Sequence, residues 1–375
     1  MSLKQINSWS REIAQAMVHV GHWQALVIAL YSLGIVAARH GAPSRVSEKL
    51  RCAGKPMTVQ RRLERYLDNR RIEVGACCEA WARWLLSHWQ GQRIVLLVDE
   101  TKLGQHLSVM VVGVAYHGCC IPLAWWCYQP QVWPMGQVEL IRTLLERVAK
   151  GVPPGQVPLV QADRGIGCSP ALVKVIRDLQ WHFLFRVQKS TRVRLFSGQE
   201  HALRDLVKPG ETWSGHGRVF KKSGWTRVWV HLIWQAGYDD LWCLITNDPA
   251  LGDGSLYAMR FWQEASFRDL KSDGWQWQAS RIFTPDHADR LLLVMTLAYT
   301  LSLVAGSLAL AHPDQYPVAK RSRSRTPFSL FRLGLRLIDS LPFHSALRRI
   351  RFVLSHPPLL SSPCPQLVLK VSESE

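Results

Sequence analysis

The 375-residue sequence predicts an α/β protein, a mixed sheet flanked by helices, interrupted by an all-β insertion and preceded by a helical region. Three observations carry that prediction. The runs RIVLLVDET (93–101) and VPLVQADRG (157–165) are continuous apolar stretches of strand length, as expected of strands buried on both faces. Patterns of helical period separate the second of these runs from its neighbours. Residues 188–249 instead read as short alternating strands joined by Gly-containing turns, rich in Trp and Arg.

Residues 1–90 read as helical. Ile13–Ala37 carries apolar residues at helical spacing, and Cys77–Gln90 places Trp81, Trp84, Leu85 and Trp89 on one side. Between them Lys49, Arg51, Lys55, Arg61, Arg62, Arg65, Arg70 and Arg71 form a dense basic run, either a solvated helix face or a DNA-contacting module. The net charge of +18 and pI near 9.9 favour the second, because so basic a soluble chain needs an anionic partner. Phosphate contacts position a protein without reading sequence, so the run names no bases.

From Arg93 the pattern becomes β-rich. RIVLLVDET ends its apolar run at Asp99, read as a strand end, and Glu100 beside it is expected to point to the other side. LSVMVVGVAYHG (107–118) and CIPLAWWCY (120–128) follow as two strands with a turn at His117–Gly118. Gln137–Lys150 has helical period, VPLVQADRG ends in Asp163, Ser169 can cap a helix running to Leu179, and WHFLFRV (181–187) is a further strand. The strands of the 188–249 segment are KSTRVRLF, TWSGHGRVFK, TRVWVHLIW and LWCLITND. Helix resumes near Leu256. This divides the chain into 1–90, 91–187, 188–249, 250–312 and a basic C-terminal region 313–375 whose tail is expected to be loosely ordered.

A membrane-spanning alternative arises here. Leu291–Ala311 has no charged residue over some twenty positions and is long enough to span a bilayer, although a helix buried in an α/β domain gives the same run. Nine cysteines lack zinc-site spacing and read as free thiols in a reducing compartment, and MSLKQINSWSREIAQAM lacks the apolar core of an export signal.

The chemistry is concentrated in Tyr257–Lys271, YAMRFWQEASFRDLK. On one α-helix at roughly 100° per residue, Tyr257, Arg260, Glu264 and Lys271 share a sector about 60° wide. Asp99, Asp163 and Glu264 together would suit hard divalent ions, which take carboxylate, water and phosphate oxygens. Taken singly, each aspartate also fits strand-end turn chemistry.

These residues resemble the bacterial insertion-sequence DDE transposases of the Tyr-Arg-Glu-Lys subgroup. Tyr257, Arg260, Glu264 and Lys271 match the spacing Y-x2-R-x3-E-x6-K, Asp99-Glu100-Thr101 resembles the D-x-T of a first strand, and Asp163-Arg164-Gly165 resembles the second acidic motif. LWCLITND resembles the family strand whose Trp stacks on a flipped-out base, which points to Trp242, with Trp225, Trp229 and Trp234 competing. The resemblance covers roughly Arg93–Gly306.

The resemblance implies an RNase H-like catalytic domain interrupted by the β-insertion. It implies cleavage of transposon ends and strand transfer, cut-and-paste through a hairpin, using two Mg²⁺ ions with Mn²⁺ as a possible substitute. Asp99, Asp163 and Glu264 would hold the ions. Tyr257, Arg260 and Lys271 would grip phosphates, and Arg186 and Lys189 would contact end DNA. Partners would be double-stranded DNA (terminal inverted repeats and target), with a homodimer on the DNA, no membrane, and a bacterial cytoplasmic, nucleoid-associated location. The rival readings are an RNase H-like nuclease without strand transfer and a catalytically inactive DNA-binding regulator.

Overall fold

The computed structural model describes residues 2–89, 93–237, 239–316 and 329–340. It divides into two compact units. One comprises the described residues up to Pro158 and from Trp262; the other is Leu159–Phe261. The boundaries cut across the 91–187 and 250–312 segments.

The first unit opens with helices only: α1 (Leu3–Ala16), α2 (His22–Ala38), α3 (Pro43–Lys49), α4 (Pro56–Asp68) and α5 (Val74–Ser87). The expected Ile13–Ala37 helix is thus two helices. The chain breaks at Met17–Gly21, where Gly21 takes extended backbone and caps α2. Trp89 likewise falls beyond the end of α5, while Trp81 and Trp84 stack with centroids 5.3 Å apart.

Three antiparallel strands follow, β1 (Val95–Leu103), β2 (Leu107–Tyr116) and β3 (Cys119–Tyr128), with β2 in the middle. His117 and Gly118 both have positive φ (43° and 80°), the pair a tight two-residue hairpin turn requires. Pro122 lies within β3 opposite a register shift at Val112/Gly113, where its missing N–H breaks least of the ladder. Its carbonyl accepts from Trp81 Nε1 at 2.9 Å, which ties α5 to the sheet. α6 (Gln137–Ala149) then buries Leu140, Ile141, Leu144, Leu145 and Val148 on one stripe.

The second unit holds β4 (Leu159–Ala162), α7 (Pro170–Asp178) and β5 (His182–Val187), with β4 and β5 parallel, as a strand–helix–strand crossover should be. Ser169 caps α7 by accepting Leu172 N at 3.2 Å. The remaining strands are β6 (Arg192–Arg194), β7 (Glu200–Ala202), β8 (Thr212–Val219), β9 (Thr226–Ile233) and β10 (Trp242–Thr246). They continue the β4–β5 pair in the order β4-β5-β10-β9-β8-β6-β7, all antiparallel beyond β5. The 188–249 strands therefore bond directly to β5 through β10.

After β10 come α8 (Gly254–Tyr257), α9 (Phe261–Arg268), α10 (Trp277–Ser280), α11 (Pro285–Ala311) and α12 (Leu330–Ser340). α11 alone among the described residues is a single unbent helix long and apolar enough to cross a membrane, and its apolar window is entirely buried in the fold. It packs against α2, α4, α5, β3 and α12, all in its own unit. Apolar residues on every side are what such central burial demands. Among the described residues eight cysteines are unbridged, and burial pushes the thiols of Cys77 and Cys243 up to about 12 and that of Cys119 to about 11. Such thiols pack as small apolar groups. Cys364, Lys320, Arg321, Arg323, Arg325, Arg348, Arg349, Arg351 and the tail lie outside the described residues.

Candidate functional site

Asp99 is not at a strand end. β1 runs four residues beyond it, to Leu103, and Asp99 sits opposite Val111 of β2. Its run of apolar neighbours ends at Val98 because one face of the strand opens there: burial is complete through Val98 and partial at Asp99 and Glu100. Pairing with β2 continues regardless. Glu100 lies beside the Tyr128 phenol, whose pKa is raised by burial and by that carboxylate, whereas the field of Asp99 acts on Lys271. The two neighbouring carboxylates thus face different surroundings, as strand alternation requires.

Nor is Tyr257–Lys271 one α-helix. α8 ends at Tyr257, Ala258–Arg260 is a 3₁₀ turn, α9 covers Phe261–Arg268, and Asp269–Asp273 is a π turn. A constant 100° step therefore does not describe the segment, since 3₁₀ and π turns are respectively tighter and wider than α. Tyr257 and Arg260 fall in the second unit, Glu264 and Lys271 in the first.

In the first unit, three polar contacts lay α9 and its π turn on the strands. Buried Gln263 donates through Nε2 to Val111 O at 3.3 Å, so the residue before Glu264 hangs on the partner of Asp99. Ser266 Oγ accepts Cys120 N at 2.7 Å, and Lys271 Nζ donates to Lys102 O at 3.3 Å. Gln263, Ser266 and Phe267 face inward, which leaves Glu264 and Arg268 exposed. Burial lowers the pKa of Lys271, and the carboxylate of Asp99 works against that shift. The field of Asp99 thus reaches Lys271, 172 positions away in the sequence.

Asp269, in the same π turn, went unnoticed in the sequence. It is only 7 % exposed; Tyr299 Oη lies 3.2 Å from its Oδ2, and Tyr299 Oη also lies 2.9 Å from Ser266 Oγ. Burial pushes its carboxyl up to about 6, against the Tyr299 hydrogen bond and with Asp273 adding to the rise. A carboxyl whose folded pKa exceeds its unfolded value holds its proton more tightly when folded. The folded state therefore gains below pH about 4 and loses stability as pH rises to about 6, by on the order of 3 kcal/mol. Asp269→Asn is expected to flatten that part of the curve: urea midpoints of wild type should fall between pH 4 and 7 more steeply than those of the variant. Parallel curves would mean Asp269 is ionised without cost. Asp289, raised to about 7 by burial, keeps its own contribution in both proteins.

In the second unit, Asp163 directly follows β4. Its Oδ1 accepts Gly165 N at 2.9 Å and Ile166 N at 3.1 Å, so the turn chemistry available to a strand-end aspartate is realised with one oxygen. Two positions earlier, buried Gln161 donates to Leu256 O at 2.8 Å and holds the start of the Tyr257 segment against β4. Tyr257 is buried, and Arg260 is largely buried with its guanidinium 5.3 Å from the Phe261 ring centre. Trp242, half-buried at the start of β10, meets Tyr257 edge-on at 5.3 Å and Phe261 at 6.0 Å. It is packed against aromatic neighbours in this structure. Arg186 of β5 pairs with Asp240 and reaches Leu241 O at 3.4 Å, while Lys189 is exposed. Asp240, Gln161 and Gln263 carry no sequence signal, being single polar residues whose partners are set only by folding.

Within neither unit do three His, Cys, Asp or Glu side chains, among the described residues, come close enough to hold a metal ion. Asp99 and Glu264 belong to one unit and Asp163 to the other. All three offer carboxylate oxygens, the donors that hard divalent ions take.

No curated protein matches the chain. Residues 136–301 match the family model of the transposase DDE domain, a stretch that includes Asp163, Trp242, Tyr257, Arg260, Glu264 and Lys271 and begins after Asp99. That match, over somewhat less than half of a mixed α/β chain that fits a nuclease-like fold, supports a DDE transposase family, a transposase role and DNA as the partner.

Proposed function

We propose that the chain is a cut-and-paste transposase of the Tyr-Arg-Glu-Lys subgroup, with an RNase H-like catalytic domain, that cleaves the ends of its own element and joins them to target DNA. The observation that carries the reading is the match of residues 136–301, which hold Asp163, Glu264 and Lys271, to the transposase DDE domain, with the field of Asp99 acting on Lys271 in the first unit. The fold elements agree with it: a three-strand antiparallel meander, a helix, then a parallel strand–helix–strand unit.

Asp99, Asp163 and Glu264 would hold divalent ions, Mg²⁺ with Mn²⁺ as substitute and two in number. When bound, such ions activate a water or a 3′-hydroxyl and stabilise the leaving oxygen of an in-line displacement. The side chains do the rest. Lys271 sets a cation where a phosphate would lie; its partial burial lowers its pKa, and the lower local dielectric strengthens the pull of the protonated form on a phosphate. Arg260 and Tyr257 hold neighbouring phosphates. Trp242 leaves its aromatic neighbours to stack on an extruded base in the hairpin step. Arg186, released from Asp240, and Lys189 contact end DNA.

Terminal inverted repeats are bound by the helical region. α4 buries Val59, Leu63, Tyr66 and Leu67 and exposes Thr58, Arg61 and Arg65, following exposed Lys55. A basic helix face of this kind suits duplex phosphates. Two copies act together on DNA, in the bacterial cytoplasm at the nucleoid.

The test uses purified protein, Mg²⁺ and DNA carrying the inverted repeats that flank its gene. Nicking and joining are expected. Asp163→Asn and Glu264→Gln should each abolish both while DNA binding, read by mobility shift, survives. Trp242→Ala should spare the first nick and slow the hairpin step. Undiminished nicking by either acidic variant would remove that residue from the reaction, and nicking without joining would favour a nuclease.

A further inference from the structure

The exposed face of β6, β8 and β9 carries a charge pattern that a structural sheet would avoid. Arg194 of β6 is directly opposite Arg218 of β8, and Arg218 is directly opposite Arg227 of β9. Like charges facing each other across strands destabilise a sheet. The acid near this row, Glu200, is already occupied by Arg194 at 2.6 Å and Lys221 at 2.8 Å, which hold its carboxyl down at about 2. Arg218 and Arg227 remain exposed. An anion lying across the row would convert the repulsion into binding.

Two residues along the same strands, roughly 7 Å away, the face turns aromatic. His216 is opposite Trp229, and their rings meet edge-on at 5.1 Å. Phe196, from the loop between β6 and β7, stacks on His216 with centroids 4.8 Å apart and planes 11° from parallel. Phe196 is 79 % exposed, so its outer ring face is open to solvent. An exposed aromatic stacked on a second ring beside a row of cations is the arrangement that takes an unpaired nucleic-acid strand, bases on rings and phosphates on guanidinium groups. A paired duplex has no free base faces to offer it.

We propose that this face binds a single DNA strand, its phosphates along Arg218 and Arg227 and one or more bases on Phe196. The choice of DNA rests on the transposase reading; the strandedness rests on the geometry.

The experiment measures fluorescence anisotropy of the full chain with three labelled probes: oligothymidine, an abasic strand of equal length, and duplex DNA. Wild type should bind oligothymidine more tightly than the abasic strand. Phe196→Ala, at an exposed position, should weaken oligothymidine binding roughly tenfold or more and leave the abasic strand unchanged. The double variant Arg218→Gln, Arg227→Gln should weaken both and reduce the slope of log affinity against log salt by about 1.4. Equal affinity of wild type for the two strands, or no effect of Phe196→Ala, would overturn the inference. Duplex binding without single-strand binding would overturn it alone. Failure to bind any probe would overturn the transposase reading as well.

Discussion

Asp99→Asn is expected to abolish strand cleavage, by roughly a thousandfold or more, with little change in DNA binding. The substitution keeps size and hydrogen bonding at a half-buried strand position, so the β1–β2 ladder around Val111 should survive. What it removes is one negative charge. A carboxylate that holds a divalent ion contributes to transition-state stabilisation worth several kcal/mol, each 1.4 kcal/mol being tenfold in rate. The same change has a second, separable readout. Asp99 supports the charged form of Lys271 against burial, so its loss should lower the Lys271 pKa further. NMR titration of the lysine side chains would show this directly. A lowered Lys271 pKa with full activity would keep the electrostatic pair and discard the metal role. An unchanged Lys271 would mean the two groups do not sense each other.

Gly334→Ala is expected to cost about 3 kcal/mol or more, measured as a shift of the urea midpoint. The cause is the crossing of α11 and α12. A Cβ built on Gly334 would lie 1.8 Å from Ser302 O and 2.9 Å from Gly306 N, and one on Gly306 would lie 2.2 Å from Leu330 O. The obstructing atoms are backbone, so no side-chain rotation relieves them. The helices must separate, and Phe331, Leu333 and Leu337 of α12, all buried, then lose contact with the core. Overpacking of a tight core alone costs about 1–3 kcal/mol, to which that lost burial adds. Gly136→Ala is the control. Its φ is −58° and its Cβ would meet nothing within 4 Å, so only the modest cost of placing alanine at the N-cap of α6, about 1 kcal/mol or less, is expected there. Equal behaviour of the two variants would mean the helix crossing is looser than these distances.

The strands were legible because burial on both faces leaves an unbroken apolar run, and β4 and β5 emerge where VPLVQADRG and WHFLFRV place them. The limit of β1 was not, because an apolar run records burial, whereas a strand is defined by pairing. Past Val98 one face opens while the ladder to β2 continues, so Asp99 looked like an end and is a middle. The break between α1 and α2 was hidden for a related reason. Apolar spacing persists through Met17–Gly21 although the backbone does not.

By itself the sequence determined the alternation of elements, the basic character of the chain and the ordered set Asp99, Asp163, Tyr257, Arg260, Glu264 and Lys271. These are properties of residue type and spacing, and they survive any detail of packing. Only the tertiary structure decided that Tyr257–Lys271 passes through 3₁₀, α and π turns, because helix type depends on which carbonyl each amide finds. Only it placed Gln263 on the strand partner of Asp99, Lys271 within reach of Asp99, and Asp240 on Arg186. Those pairings join residues tens to more than a hundred positions apart. No local period carries information over that distance; the packing of α9 and its π turn onto β1 and β2 supplies it.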